Sequence, residues 1–338
     1  MGGLRARCSA LVFLLTTLLA GSAAAETKLS FSLNSRFDGP SAPFLVAIDK
    51  GYYKAEGLNV SVEDAPSPIT AIDRVASGGY DMGVGDINAL MKFRDANPGA
   101  PVKAIFIVYN KPPYAVIGRK SRGIAGPKDL EGKKIGAPSD DSSFAQWPIF
   151  AQANGIDAEK VQIENVSNPV RVPMLAAGQV DAITSFSFLA FINLKERGVP
   201  VNDIVVLMMA DHGVTLYGDA IIVNQKFADA HPDAVKGFLR AYIKGLRETA
   251  KTPTAAIDSV LKRNDDARKE TEIDRFRMAY RDNIATAEVK TQGLGTIDRE
   301  RFTRAIDQID GAFKFKTKPK PEDIFDGSYL PSAADRKL

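Results

Sequence analysis

The chain has 338 residues, 45% hydrophobic and 25% charged, with 44 basic and 41 acidic side chains, two histidines and one cysteine. That balance argues against a nucleic-acid surface or a polybasic membrane patch. The scarcity of histidine and cysteine argues against a zinc site, and the length provides for two cores.

The first element is an export signal. Met1 to Arg7 carries Arg5 and Arg7 with no acid, "ALVFLLTTLLAG" is apolar but too short to span a bilayer, and Ala23, Ala24 and Ala25 offer a small-residue cleavage site. Removing residues 1–25 takes Cys8 with it, so the mature chain forms no disulfide and keeps a net charge near +1. "LLAGS" is like a lipoprotein cleavage box, but Ser22 stands where the lipid-bearing cysteine would be, so no lipid tether is expected. The expected location is the periplasm.

Beyond the signal, two phrases repeat 100 positions apart: "VASGGYDMGVGD" from Val75 to Asp86 and "LAAGQVDAITSF" from Leu175 to Phe186. Each reads as a helix end, a C-terminal glycine (Gly78, Gly178), an aspartate (Asp81, Asp181) and a strand. Upstream, "LSFSLNSRFDGPSAPFLVAIDKG" and "KKIGAPSDDSSFAQWPIFAQANG" both read as strand, loop, helix and glycine, followed by the strands "LNVSVED" and "VQIENVS". The chain therefore contains two β-loop-α-β-loop-α-β units, an α/β architecture with a mostly parallel sheet and flanking helices in each lobe. Two β-rich runs, "PPYAVIGRK" and "YGDAIIVNQKF", are expected to be crossover strands joining the lobes. The division expected is residues 26–115 for the first part of lobe 1, 116–223 for lobe 2, and 224–338 for the rest of lobe 1 and a C-terminal tail. That tail, "KFKTKPKPEDIFDGSYLP", is expected to lie on the surface, packed through Ile324, Phe325 and Tyr329.

The phrases "AIDKGYYKAEGLNVSV", "GPKDLEGKKIGAP", "AAGQVDAI" and "KFADAHPDAVKGFLRAYIKG" resemble those of the SsuA/THI5-like (NMT1/TauA) periplasmic solute-binding proteins. The resemblance spans essentially the whole mature chain. It implies a type II, Venus-flytrap binding protein that closes about two hinge strands. It also implies a small-molecule ligand and, as partner, an ABC permease in the inner membrane, with the binding protein a monomer. Family ligands include sulfonates, nitrate-like anions and pyrimidines, so the resemblance leaves the ligand open.

No catalytic constellation is visible. There is no G-x-S-x-G elbow, and "GGYDMGVGD" matches neither G-x-G-x-x-G nor a P-loop. The resemblance also extends to fungal pyrimidine synthases, whose cysteine-rich motif the mature chain lacks. The expectation is a binder with no catalytic residue, metal or cofactor.

In open α/β sheets ligands lie beyond the carboxyl ends of the strands. That places six loops at one cleft: 34–43, 64–69, 85–88, 138–143, 167–171 and 184–188. The candidate ligand-binding residues in lobe 1 are Arg36, Phe37, Asp38, Gly85 and Asp86. In lobe 2 they are Ser139, Asp140, Asp141, Ser142, Ser143, Arg171, Ser185 and Phe186. The two serines after Asp141 keep the hydroxyl chemistry that the resemblance associates with an anion site. Yet the loops carry more carboxylates than guanidiniums, and a carboxylate beside an anion repels it. Phe37 and Phe186, on opposite lobes, suit a planar ring. The reading favours an amine or a pyrimidine-like nitrogen heterocycle. The alternatives are a sulfonate- or nitrate-type anion and a heterocycle-processing enzyme, and for Asp86, Asp140 and Asp141 a helix-capping role stands beside ligand contact.

Overall fold

A computed structural model describes residues 26–65 and 68–338; the expected export signal, with Cys8, lies outside the described residues. The chain builds β1 (Thr27–Ser32), α1 (Ala42–Asp49), β2 (Leu58–Glu63), α2 (Pro68–Ala76), β3 (Met82–Asp86), α3 (Ile87–Ala96) and β4 (Val102–Ile107). It then crosses to β5 (Tyr114–Arg119), β6 (Lys134–Ala137), α4 (Trp147–Ala153), β7 (Gln162–Asn165), α5 (Asn168–Ala177), β8 (Ala182–Phe186), α6 (Ser187–Glu196) and β9 (Ile204–Met208). It returns through β10 (Asp219–Asn224) to α7 (Pro232–Lys251), α8 (Lys269–Ala279) and α9 (Arg299–Phe313).

The strands form two five-stranded sheets with the same plan, β2-β1-β3-β10-β4 and β7-β6-β8-β5-β9. In each, one strand is antiparallel, and it is the strand that has just arrived from the other lobe. The two runs expected to bridge the lobes are therefore central strands: β5 lies between β8 and β9, and β10 between β3 and β4. Their apolar side chains explain this, since both strands are buried along almost their whole length and need neighbours on either side. The chain passes between lobes in the shorter stretches 108–113 and 209–218.

The duplicated phrases do structural work. Gly78 and Gly178 take left-handed backbone (φ +81° and +73°) after α2 and α5. Asp81 and Asp181 then brace the neighbouring strand: Ser30 donates its N–H to Asp81 Oδ2 at 2.8 Å, and Lys134 its N–H to Asp181 Oδ2 at 3.0 Å. The glycines of β3 are packing residues. A Cβ at Gly83 would stand 2.7 Å from the Ser32 carbonyl oxygen, and one at Gly85 would stand 2.9 Å from Ile72 Cγ1 of α2.

On lobe 1, the long α7 buries Val235, Phe238, Leu239, Tyr242 and Leu246 at helical spacing. Phe238 stacks on Phe31 at 4.9 Å and Tyr242 on Phe44 of α1 at 4.4 Å. The C-terminal segment covers the exposed edge of β4, where Phe325 bridges Ala104 and Ile324 is buried.

Candidate functional site

A cavity of about 760 Å³ lies between the lobes, at the end of each sheet where the parallel strands finish. Five of the six expected loops contribute to its wall; the loop 85–88 does not.

On lobe 1 the wall holds Asn34, Arg36, Phe37, Asp38 and Ser41 from the loop between β1 and α1. Asp38 caps the short turn Gly39–Ser41, accepting the Ser41 N–H at 3.1 Å, while its own N–H reaches Ser41 Oγ at 2.9 Å. Gly39 is held from behind, donating its N–H to Glu272 Oε2 of α8 at 2.7 Å. A Cβ at Gly39 would collide with the Glu272 carbonyl oxygen at 2.1 Å, so α8 and this loop fit only with glycine there. Arg36 is at the rim, largely exposed, 3.8 Å from Asp266.

Asp219, the first residue of β10, completes this side. An antiparallel strand brings its amino end to the place where parallel neighbours present their carboxyl ends, so Asp219 sits beside the loops. It faces Asp86 directly in the β10–β3 register. Asn34 donates Nδ2–H to Asp219 Oδ2 at 2.7 Å.

On lobe 2 the wall holds Asp140, Asp141, Ser142, Asn168, Arg171 and Phe186. Asp141 both caps and pairs. It accepts the Phe144 N–H at 3.1 Å and lies 3.2 Å from Arg171 Nη1, with both side chains more than nine-tenths buried. Arg171 also donates to the Thr184 carbonyl at 2.9 Å. Asp140 is exposed and accepts from Asn168 at 3.3 Å. Phe186 anchors an aromatic group: Tyr109 meets it edge-on at 6.3 Å, and Phe188 lies 5.8 Å away.

Five expected residues lie off the wall. Asp86 is turned into the structure: its Oδ1 accepts the Asn88 and Ala89 N–H groups and its Oδ2 the Tyr114 hydroxyl at 2.6 Å. Gly85 faces Ile72 and Ile222. Ser143 and Ser185 are buried, and Ser139 is exposed but forms no part of the wall. Trp147 is also remote, packed in the core against Phe150 at 6.0 Å.

The wall also includes residues that loop reasoning misses: Tyr109, Asp219, Asn264, Glu272 and Arg275. Four of these five come after the duplicated units. Only Asp219 carried a signal, because reading "YGDAIIVN" as an antiparallel strand places its first acid at the ligand end.

The electrostatics follow from crowding. Asp38 keeps partial exposure through the cavity, but burial, then the Glu272 charge, push its carboxyl up to about 7 against the pull of Arg275 and Ser41. Burial, followed by the charge of Asp86, pushes Asp219 up to about 7 as well, with the Asn34 hydrogen bond opposing. Burial also raises Glu272, although Arg275 pairs with it.

A family model described as NMT1/THI5 like matches residues 39–256. Among relatives, the riboflavin-binding protein RibY of Chloroflexus aurantiacus is 25% identical over 302 residues, covering 87% of this chain and 83% of its own. A 4-amino-5-hydroxymethyl-2-methylpyrimidine phosphate synthase of Schizosaccharomyces pombe is 25% identical over 67% of this chain and 66% of its own. The formylaminopyrimidine-binding protein of Halalkalibacterium halodurans is 25% identical, covering 66% of each chain. In fold, the periplasmic aliphatic sulphonate binding protein SsuA of Escherichia coli superposes with a TM-score of 0.72 over 90% of this chain and 94% of its own, at 14% identity. Fold, cleft and family match agree: the chain has the two-lobed α/β fold of periplasmic binding proteins and belongs to the NMT1/THI5-like family.

Proposed function

We propose that the protein is the periplasmic solute-binding component of an ABC importer. It captures a planar nitrogen heterocycle or amine between its lobes and delivers it to a permease in the inner membrane. The observation that carries the ligand class is the charge of the wall. Asp38, Asp219 and Glu272 crowd one side, whereas each wall guanidinium has its own carboxylate: Arg171 has Asp141, Arg275 has Glu272 and Arg36 has Asp266. A sulfonate entering this cavity would find the buried Arg171 and Arg275 already paired, with only the exposed Arg36 lightly held. A ring with N–H donors meets acceptors instead, and Phe37 and Phe186 line the cavity from opposite lobes to hold its faces.

The volume of about 760 Å³ leaves room for a substituted or fused ring. Two relatives whose names carry a heterocycle, the riboflavin-binding and formylaminopyrimidine-binding proteins, support the reading. The synthase relatives define the competing reading.

Isothermal titration with an aminopyrimidine, riboflavin, methanesulfonate and nitrate, with mass spectrometry of the recovered ligand, tests this. Tight binding of a heterocycle recovered unchanged is expected. Binding of methanesulfonate alone would overturn the ligand class, and a chemically altered heterocycle would overturn the binding role.

A further inference from the structure

We propose that Asp219 is the residue that selects the ligand: its Oδ1 accepts an N–H from the ring edge, so the cleft takes heterocycles bearing a donor there and rejects those presenting a carbonyl. This rests on the heterocycle reading above and assigns a recognition atom within it.

Asp219 is 3% exposed and forms part of the cavity wall. Its two oxygens are treated differently. Oδ2 is held by the Asn34 carboxamide at 2.7 Å, whereas Oδ1 is buried and has no hydrogen-bond partner among the described residues. A buried acceptor without a donor is costly, and such groups in native structures call for a specific explanation. The acid opposite gives the contrast. Asp86, paired with Asp219 across β10 and β3, has donors on both oxygens from Asn88, Ala89 and Tyr114. The two facing carboxylates thus differ in one respect: Asp86 is saturated by the protein, and Asp219, a residue of the cavity wall, has one acceptor left unfilled.

Two other acids of the wall have both oxygens occupied: Asp141 by Arg171 and the Phe144 N–H, and Glu272 by Arg275 and the Gly39 N–H. Asp38 gives its Oδ1 to the Ser41 N–H, and Asp266 is exposed beside Arg36. Asp140 is exposed at the mouth. Asn34 fixes the plane of the Asp219 carboxylate, and the buried Tyr109, also on the wall, offers an apolar neighbour for a ring. The selection operates above about pH 7, where Asp219 is ionised: there an incoming carbonyl or anion at Oδ1 is repelled by the crowded charges of Asp219, Asp86 and Asp38, while a donor relieves the crowding.

The test is calorimetry at pH 8.5 of wild type and Asp219→Asn with 4-amino-5-hydroxymethyl-2-methylpyrimidine and its 4-dimethylamino counterpart, in which the exocyclic N–H is blocked, with circular dichroism as a check on folding. Riboflavin and its N3-methyl derivative, in which the ring N–H is blocked, form a second donor and blocked pair. Wild type is expected to favour the donor member of the pair it binds. In Asp219→Asn the donor ligand should lose about 10- to 100-fold in affinity while the other loses little, so that the preference collapses. If Asp219→Asn does not fold, Asn34→Ala, which releases the carboxylate, should erode the preference in the same direction. A preference that survives in the folded variant overturns the assignment and leaves the heterocycle reading standing. A wild type that binds methanesulfonate and none of the heterocycles overturns both.

Discussion

Two buried contacts set what single residues do here. Tyr114 begins β5 on lobe 2, yet its hydroxyl donates to Asp86 of lobe 1 at 2.6 Å and accepts from Asn88 Nδ2 at 3.0 Å. Tyr114→Phe leaves a buried carboxylate oxygen without its donor, so a stability loss of about 1.5–3 kcal/mol is expected by chemical denaturation. The second contact is the crowding of acids at the cleft. Asp38 and Asp219 ionise near pH 7 in the folded chain, against an ordinary value of 3.8, because burial and then neighbouring carboxylates disfavour their charge. Between those limits the folded protein holds protons that the unfolded chain releases, so stability falls as pH rises through the window and levels above it. The groups around Asp219 are Asp86 on β3, Asp38 and Asn34 on the first loop, Tyr109 on the crossover and Tyr114 of β5; Glu272 and Arg275 of α8 face Asp38. The ligand-free protein should therefore melt at a higher temperature at pH 5 than at pH 8, and Asp219→Asn should flatten that difference. Melting curves that are equal at both pH values would contradict the crowding argument.

At the scale of elements, α6 of lobe 2 and α8 of lobe 1 meet across the cleft through polar side chains. Glu196 pairs with Arg268 at 2.5 Å and accepts from Thr271, Lys195 lies 3.2 Å from Asp274, and Arg275 donates to Asn193 Oδ1 at 2.6 Å. Contacts of this kind are each worth about 0–1 kcal/mol, enough to bias closure but too little to lock it. Glu196→Ala should therefore widen the ligand-free protein in small-angle scattering and weaken ligand binding by up to about 5-fold, with little change in melting temperature. An unchanged scattering profile would show that the two helices do not govern closure. This contact was invisible in the sequence, because nothing in "KETEIDRFRMA" distinguishes a charged face turned to solvent from one turned to another lobe. The repeated units were legible, because strand alternation, helix-stopping glycines and bracing aspartates recur at one spacing. Their loops were legible for the same reason, and five of the six reach the cavity. The exception, Gly85 and Asp86, shows the limit: packing of Gly85 against Ile72 and Ile222, and the hydroxyl of Tyr114 from the other lobe, turned them inward, and Ile222 and Tyr114 reach them only after the chain has crossed between lobes.

At the scale of the molecule, the lobes exchange strands, so opening and closing must be absorbed by the two stretches 108–113 and 209–218. These stretches touch. Gly218 donates its N–H to the Tyr109 carbonyl at 2.9 Å, and a Cβ at Gly218 would stand 2.9 Å from Tyr109 Cβ and 3.2 Å from Pro112 Cα. The glycine is required by this close approach alone, since its backbone is not left-handed. Tyr109 also lies on the cavity wall, where its ring meets Phe186 of the other lobe. A methyl group at Gly218 therefore forces the crossovers apart and moves a wall residue without itself reaching the cavity. Gly218→Ala should cost about 1–3 kcal/mol of stability, as overpacking does. It should also weaken binding of the aminopyrimidine or riboflavin, with the altered affinity arising from the changed approach of the lobes. Denaturation and calorimetry on the same variant separate the two effects. Lost stability with unchanged affinity would mean that the crossovers only join the lobes, whereas loss of both would mean that their spacing sets the closed cleft.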